Sequence, residues 1–321
     1  MGKCFETWVV MLACCALGAC GGDDDDSGGG DGDGVGVDGG SGGASGGSGG
    51  TGSSGSGGMG GDTGSGGTAS SGGGDGDGVS DLEPFSFFVT SLEGLQQLSG
   101  SVDGFGGDLR HGEADGLSGA DKICSELAEG SMPGSAAKGW RAFLSVSDTA
   151  PGGAVDAIDR VGTGPWYDRL GRVVAMDTDA LLNERPEGAD NTIINDLPNE
   201  FGIPNHAPDG VMQVDNHHVM TGSGEDGRLY QGATSTCLDW TSAVGADGSP
   251  RSGFSWPRGA RPGGGPGGPG GNGGAHWMTS YSAPGCAPEV DVGGTGRAPD
   301  GSDGVGSGGG YGAIYCFALS P

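Results

Sequence analysis

The sequence predicts an α+β domain over residues 84–321, held by two disulfides and preceded by a segment that cannot build a core. Three observations predict it. The chain has 79 glycines in 321 residues, without the three-residue period of collagen, and they are unevenly spread. Residues 21–80 contain no aromatic residue, Lys, Arg or Cys, whereas eighteen aromatics follow from Phe85 onward. Within that second part, one helical pattern stands among short alternating runs, and four cysteines are spaced along it.

Residues 1–19 read as a signal peptide. Lys3 gives a basic start, and the apolar run from Trp8 to Ala19 is too short to span a bilayer. Leu17-Gly18-Ala19-Cys20 resembles the bacterial lipobox, in which the cysteine becomes the lipidated N-terminus. Small residues before Cys20 let a peptidase approach the backbone, and several acyl chains on one thiol anchor stably where one chain does not. Cys4, Cys14 and Cys15 leave with the signal. Gly21 follows Cys20 where some inner-membrane lipoproteins carry aspartate, which points to the outer membrane of a cell envelope.

Residues 20–83 are then a lipidated cysteine and a disordered Gly/Ser/Asp linker, because too little apolar surface is available to offset ordering entropy. A flexible chain of roughly 60 residues spans about 40 Å. Asp31/Asp33 and Asp75/Asp77 begin like calcium loops, but Val35 and Val79 stand where a third oxygen is needed.

The folded part opens with a strand at Phe85-Ser86-Phe87-Phe88-Val89-Thr90. A helix follows, N-capped by Ser118, with Asp121 three residues on. Ile123, Cys124, Leu127 and Ala128 share its inner face, and Gly130 ends it. Trp140–Val146 alternates like a strand, 154–161 suits a short helix, and 166–175 reads as a turn followed by a strand. The chain is then loop-rich to Val211. Strand-like pieces return at His218–Thr221, Cys237–Trp240 and Tyr311–Phe317, and 258–275 is a Gly/Pro-rich loop insertion.

Cys124, Cys237, Cys286 and Cys316 remain besides Cys20, an even number that implies two disulfides in an exported domain. Spacing allows three connectivities. Ser118–Cys124 followed by Trp140–Ser145 resembles the endostatin domain found at the C-terminus of certain collagens. The run is still more similar to a bacterial family of unknown function related to that domain. Ala157–Arg160, Gly164–Arg169, Thr221-Gly222, Cys237–Ser242 and Ile314–Phe317 extend the likeness, in order, over about Phe85 to Pro321. The resemblance implies a C-type-lectin-like fold with nested disulfides, Cys124 to Cys316 and Cys237 to Cys286. It carries over neither endostatin's zinc histidines, which match no residues here, nor its basic heparin face, for which Lys and Arg are too few.

Two clusters are candidate ligand sites. Asp215-Asn216-His217-His218 is the densest group of metal-capable side chains. In a strand, Asp215 and His217 share a face while His218 points away, and zinc needs three or four ligands. Asn199 and Glu200, after Pro198, are similar to the calcium loop of sugar-binding C-type lectins, though the downstream Trp-Asn-Asp of that pattern is absent. Asp159/Arg160 and Asp168/Arg169 are expected to form ion pairs, and Trp140, Trp166 and Trp240 to lie in the core.

No nucleophile elbow, zincin helix or phosphate loop is present. Net charge is −28, and from Phe85 onward acids outnumber bases 29 to 13, so a nucleic-acid partner is excluded. The expectation is a membrane-anchored binding or recognition module without catalysis. It takes a carbohydrate or protein ligand and needs no cofactor beyond an optional calcium or zinc ion; the alternatives are a passive structural lipoprotein and, after it, a hydrolase whose site the sequence does not advertise.

Overall fold

The computed structural model of the chain describes residues 83–206, 216–256, 276–292 and 304–321. The expected signal 1–19, Cys20, the linker up to residue 82, Asp215 and the insertion 258–275 lie outside the described residues. What is described is mixed α and β, with two disulfides.

In chain order, the buried strand β1 (Phe87–Val89) leads into helix α1 (Leu92–Ser99). Helix α1 was not anticipated, although its signals are present. Ser91 caps it by accepting from Gly94 N, Leu92, Leu95 and Leu98 recur at helical spacing, and Gly100 closes it at φ 68°. Helix α2 (Gly116–Ser131) buries Ile123, Cys124, Leu127 and Ala128 as expected. Its N-cap is Asp115 rather than Ser118: the Asp115 carboxylate accepts from both the backbone and the hydroxyl of Ser118, which sits in the first turn. Asp121 is thereby released from capping. It accepts instead from Ala142 N of strand β2 (Trp140–Ala142) and from the Arg160 guanidinium.

Residues 154–161 form only a 3₁₀ turn, Ala157–Asp159. Strands β3 (Trp166–Tyr167) and β4 (Val173–Ala175) make a hairpin where one strand was expected. Asp168 ties its turn by accepting from Leu170 N, Arg172 N and the Arg172 side chain. The anticipated ion pairs are therefore re-partnered. Arg160 pairs with Asp121, Arg172 with Asp168, Arg169 with Glu83, and Asp159 with Arg228. Sequence neighbours point apart, so acids and bases from different turns meet instead. A short helix α3 (Thr178–Leu181), strands β5 (His218–Met220), β6 (Arg251–Phe254) and β7 (Tyr281–Ser282), and the long β8 (Gly310–Ala318) complete the elements.

Strand β8 is buried along its whole length and organises the sheet. One edge pairs antiparallel with β1, Phe87 opposite Phe317. The other edge pairs antiparallel with β2, Ala142 opposite Cys316, and then parallel with β5, Met220 opposite Ile314. Strands β6 and β7 extend outward from β5. Phe85, Phe88 and Trp140 pack with ring centroids 4.9–5.7 Å apart, and Phe87, Phe143, Trp166 and Trp277 surround Phe317. Trp140, Trp166 and Trp240 are core residues, as expected. Among the described residues, no helix is long and apolar enough to cross a membrane.

Cys124–Cys316 joins α2 to β8 across 192 residues, and Cys237–Cys286 spans 49. Chain-entropy arguments assign them at most about 5 and 4 kcal/mol. Peptide mapping without reductant should recover these two linkages and no other among the four cysteines. In urea titrations, dithiothreitol should lower stability by several kcal/mol. A linked peptide joining Cys124 to Cys237 would refute the arrangement.

Candidate functional site

The segment Phe105–Glu113 leaves α1 and crosses the N-terminal half of α2. Its backbone runs beside residues 240–241: Leu109 N donates to Trp240 O, Asp108 bridges Thr241, and Gly107 N donates to Cys286 O. Side chains are excluded at two contacts. A Cβ on Gly107 would meet the Cys237 sulfur at 2.6 Å, and one on Gly119 would meet Arg110 O at 2.1 Å. The segment is thus clamped between helix and turn, and its charged residues are pushed outward.

They line a cleft of about 470 Å³, with Ser99 and Ala243 on its other sides. Arg110 holds the Asp108 carboxylate through Nε at 2.8 Å and Nη2 at 2.5 Å, and this contact keeps Asp108 below the usual carboxylate range. His111 Nε2 lies 2.8 Å from Glu126, and Lys122 lies 3.2 Å from Glu113. The half-buried Phe105 ring meets the His111 ring edge to face at 5.3 Å.

The turn that leads to Ala243, on the opposite side of the cleft, is strained. Cys237, Leu238, Asp239 and Trp240 were expected to form a strand, but all four have left-handed φ, 49° to 62°. The remaining non-glycine positive φ among the described residues is His111, in the cleft itself. Each such residue costs about 1–2 kcal/mol. Three anchors over-determine the turn. Cys237 is disulfide-bonded, Trp240 is fully buried with Nε1 donating to Ser145 O, and Asp239 is buried among donors. Its carboxylate accepts from Ser147 N and the hydroxyls of Ser147, Thr149 and Thr236. Burial alone would raise the Asp239 pKa; these hydrogen bonds outweigh it and hold the group below its ordinary value.

The residues anticipated from sequence lie elsewhere. Asn199 Oδ1 accepts from the backbones of Phe201 and Ile203, and Glu200 is buried against Ser91, accepting from its N at 2.9 Å and its hydroxyl at 2.5 Å. Glu200 thus completes the cap of α1 from 109 residues away. These oxygens fasten a turn.

His217 and His218 are buried with rings only 4.2 Å apart, so they do not point to opposite faces. His217 precedes β5, where the register against β8 shifts, and both rings pack on Phe254. The run Tyr281, His218, Phe254, His217, Trp256, His206 forms a continuous stack with centroid spacings of 3.8–5.3 Å. Among the described residues, no three His, Cys, Asp or Glu side chains gather as a metal site. Asp108, Arg110, His111 and Glu113 were missed, although a charged run framed by Gly106, Gly107 and Gly112 was a visible signal.

No protein-family model matches the chain, and no curated protein is significantly similar to it.

Two acids should show opposite pH signatures. Asp239 has a depressed folded pKa, so its contribution is present above about pH 4 and lost as pH falls through the folded value. Asp239→Asn should cost on the order of 3 kcal/mol at pH 7, with the gap from wild type closing in acid. Burial raises Glu200, so the fold holds a proton the unfolded chain releases, and stability declines as pH climbs from its ordinary value through the folded one. Glu200→Gln should flatten that decline, making its cost larger at pH 4 than at pH 8. Urea midpoints across pH decide both; parallel profiles for variant and wild type would refute the assignments.

Proposed function

We propose that this chain is a lipid-anchored recognition module of a bacterial envelope. Cys20 carries the anchor, and a C-type-lectin-like, endostatin-like domain displays a ligand-binding cleft. The protein sits in the outer membrane or at the cell surface, and its work is binding rather than catalysis.

One observation carries the reading: the cleft and the start of the domain lie at opposite ends of the same two elements. At one end, Glu83 contacts Arg169 and accepts from Lys138 through its carbonyl. Arg169 also reaches Ser131, the last residue of α2, and Phe87 pairs with Phe317 near the end of β8. At the other end, Gly119 of α2 abuts Arg110, and Gly104 lies by Tyr311 near the beginning of β8. Six strand residues separate Phe317 from Tyr311, roughly 20 Å. Twelve helical residues separate Ser131 from Gly119, roughly 18 Å. The attachment point at Glu83 and the cleft are therefore roughly 20 Å apart along the domain, so a spacer joined at Glu83 does not occupy the cleft end.

The sequence supports the remaining parts. Leu17-Gly18-Ala19-Cys20 supplies the lipidation pattern, and residues 21–80 have the composition of a spacer. An open cleft where Asp108, Arg110, His111 and Glu113 converge beside Phe105 favours binding over the passive structural alternative.

Cys20→Ala should move the protein from the membrane fraction to the soluble extracytoplasmic fraction while leaving both disulfides intact. Metabolic labelling with a fatty acid should mark wild type alone. Membrane retention of the variant after a high-salt wash would defeat the proposal.

A further inference from the structure

We infer that the cleft between Phe105–Glu113 and Ala243 binds an uncharged saccharide, without a metal ion, using the Asp108–Arg110 pair as its recognition element. This rests on the reading of the domain as a recognition module and adds the chemistry of its ligand.

Charge balance separates the ligand classes. Around the cleft, Asp108 is set against Arg110, Glu113 against Lys122, and Glu126 against His111. With His111 neutral these groups carry one net negative charge, in a chain whose net charge is −28. A phosphate, sulfate or uronic acid would gain from Arg110 and meet Asp108 and Glu113. An ammonium ligand would meet the reverse. Apolar ligands need a continuous greasy lining, and the cleft has only Phe105 and Ala243.

A neutral ligand that both donates and accepts suits what remains. Arg110 uses Nε and Nη2 on Asp108, leaving the Nη1 donors at the cleft, and the side chain is 45 % exposed. The ring of His111 bonds Glu126 through Nε2, leaving Nδ1. Asp108 supplies acceptor lone pairs beside the Arg110 donors, and the His111 Nδ1 lone pair adds an acceptor. Adjacent hydroxyls of a sugar ring can donate to a carboxylate and accept from a guanidinium in one plane. Phe105, fixed edge-on by His111, offers the apolar patch that the C–H face of a sugar requires.

The frame is rigid before any ligand arrives. Gly107 and Gly119 bring backbones into contact, and the left-handed turn of Cys237–Trp240 is locked by its disulfide and by Asp239. Sugars bind weakly per hydroxyl because each displaces well-held water, so a cleft that need not be ordered on binding suits them. The volume, about 470 Å³, falls within the roughly 300–1,000 Å³ of small-ligand sites.

The full chain carrying Cys20→Ala, applied in EDTA to a printed array of neutral, acidic and aminated oligosaccharides, tests this. Neutral glycans should be bound, with affinity at least tenfold weaker in Arg110→Ala and Arg110→Lys and unchanged in Phe201→Ser at the opposite end of α2. Arg110→Lys keeps the charge and removes the planar fork; circular dichroism and the disulfide map verify that each variant is folded. Binding confined to charged glycans, dependent on added calcium, or indifferent to Arg110 would overturn the inference. A protein array serves as the second arm. If it yields a ligand that Arg110→Ala abolishes while the glycan array stays empty, recognition stands and the saccharide assignment falls. If both arrays stay empty, both fall.

Discussion

Everything in this domain closes onto its last strand. Gly310–Ala318 pairs with the first strand, with Trp140–Ala142 and with His218–Met220, and is bonded covalently to the long helix through Cys316. The other strands are two to four residues long and cannot hold a sheet alone. The core aromatics gather around Phe317 for the same reason. The pairings reach from Phe87 to Phe317, so the sheet cannot assemble until the C-terminal strand is available, and such non-local contacts slow folding. Cys124–Cys316 adds a covalent constraint at that closure, between the helix and the strand, 192 residues apart.

Legibility in the sequence followed how local each cause was. Helix α2, the Gly310–Ala318 region and the burial of the three tryptophans were visible because periodicity and side-chain size report directly on burial. The start of α2 was misassigned by a local ambiguity: Asp115 and Ser118 are both good caps, and three residues separate them. Cys237–Trp240 was misread for a deeper reason. Its conformation opposes the propensity of all four residues and exists only because distant groups, Cys286, Ser147, Thr149 and Ser145, hold it. Glu200 was misread likewise. An acid after Pro-Asn resembles a ligand set, and nothing nearby reveals that its partner is Ser91.

The candidate site was illegible in sequence because it is made by convergence. Each of Asp108, Arg110 and Glu113 is an unremarkable surface residue in a glycine-bounded loop. They become a cleft only when that loop is pressed between α2 and the left-handed turn, and the glycines that permit the close approach carry no chemistry of their own. The histidines show the converse: they are dense in the sequence, and His217 and His218 enter a stack of rings that packs the β5–β6 end of the sheet.

Strain at the cleft bears on function, because a domain of this size has cheaper ways to turn a chain. Four left-handed residues in succession oppose folding by several kcal/mol. They persist because Asp239, Trp240 and a disulfide together stabilise them by more. Glycine would adopt the same φ at less cost, but it would carry none of the side chains that anchor the wall beyond Thr241. Holding that wall still against the Phe105–Glu113 segment keeps the Asp108–Arg110 pair at one spacing. Fixed spacing is what a polar ligand, selected by paired donors and acceptors, demands of its site.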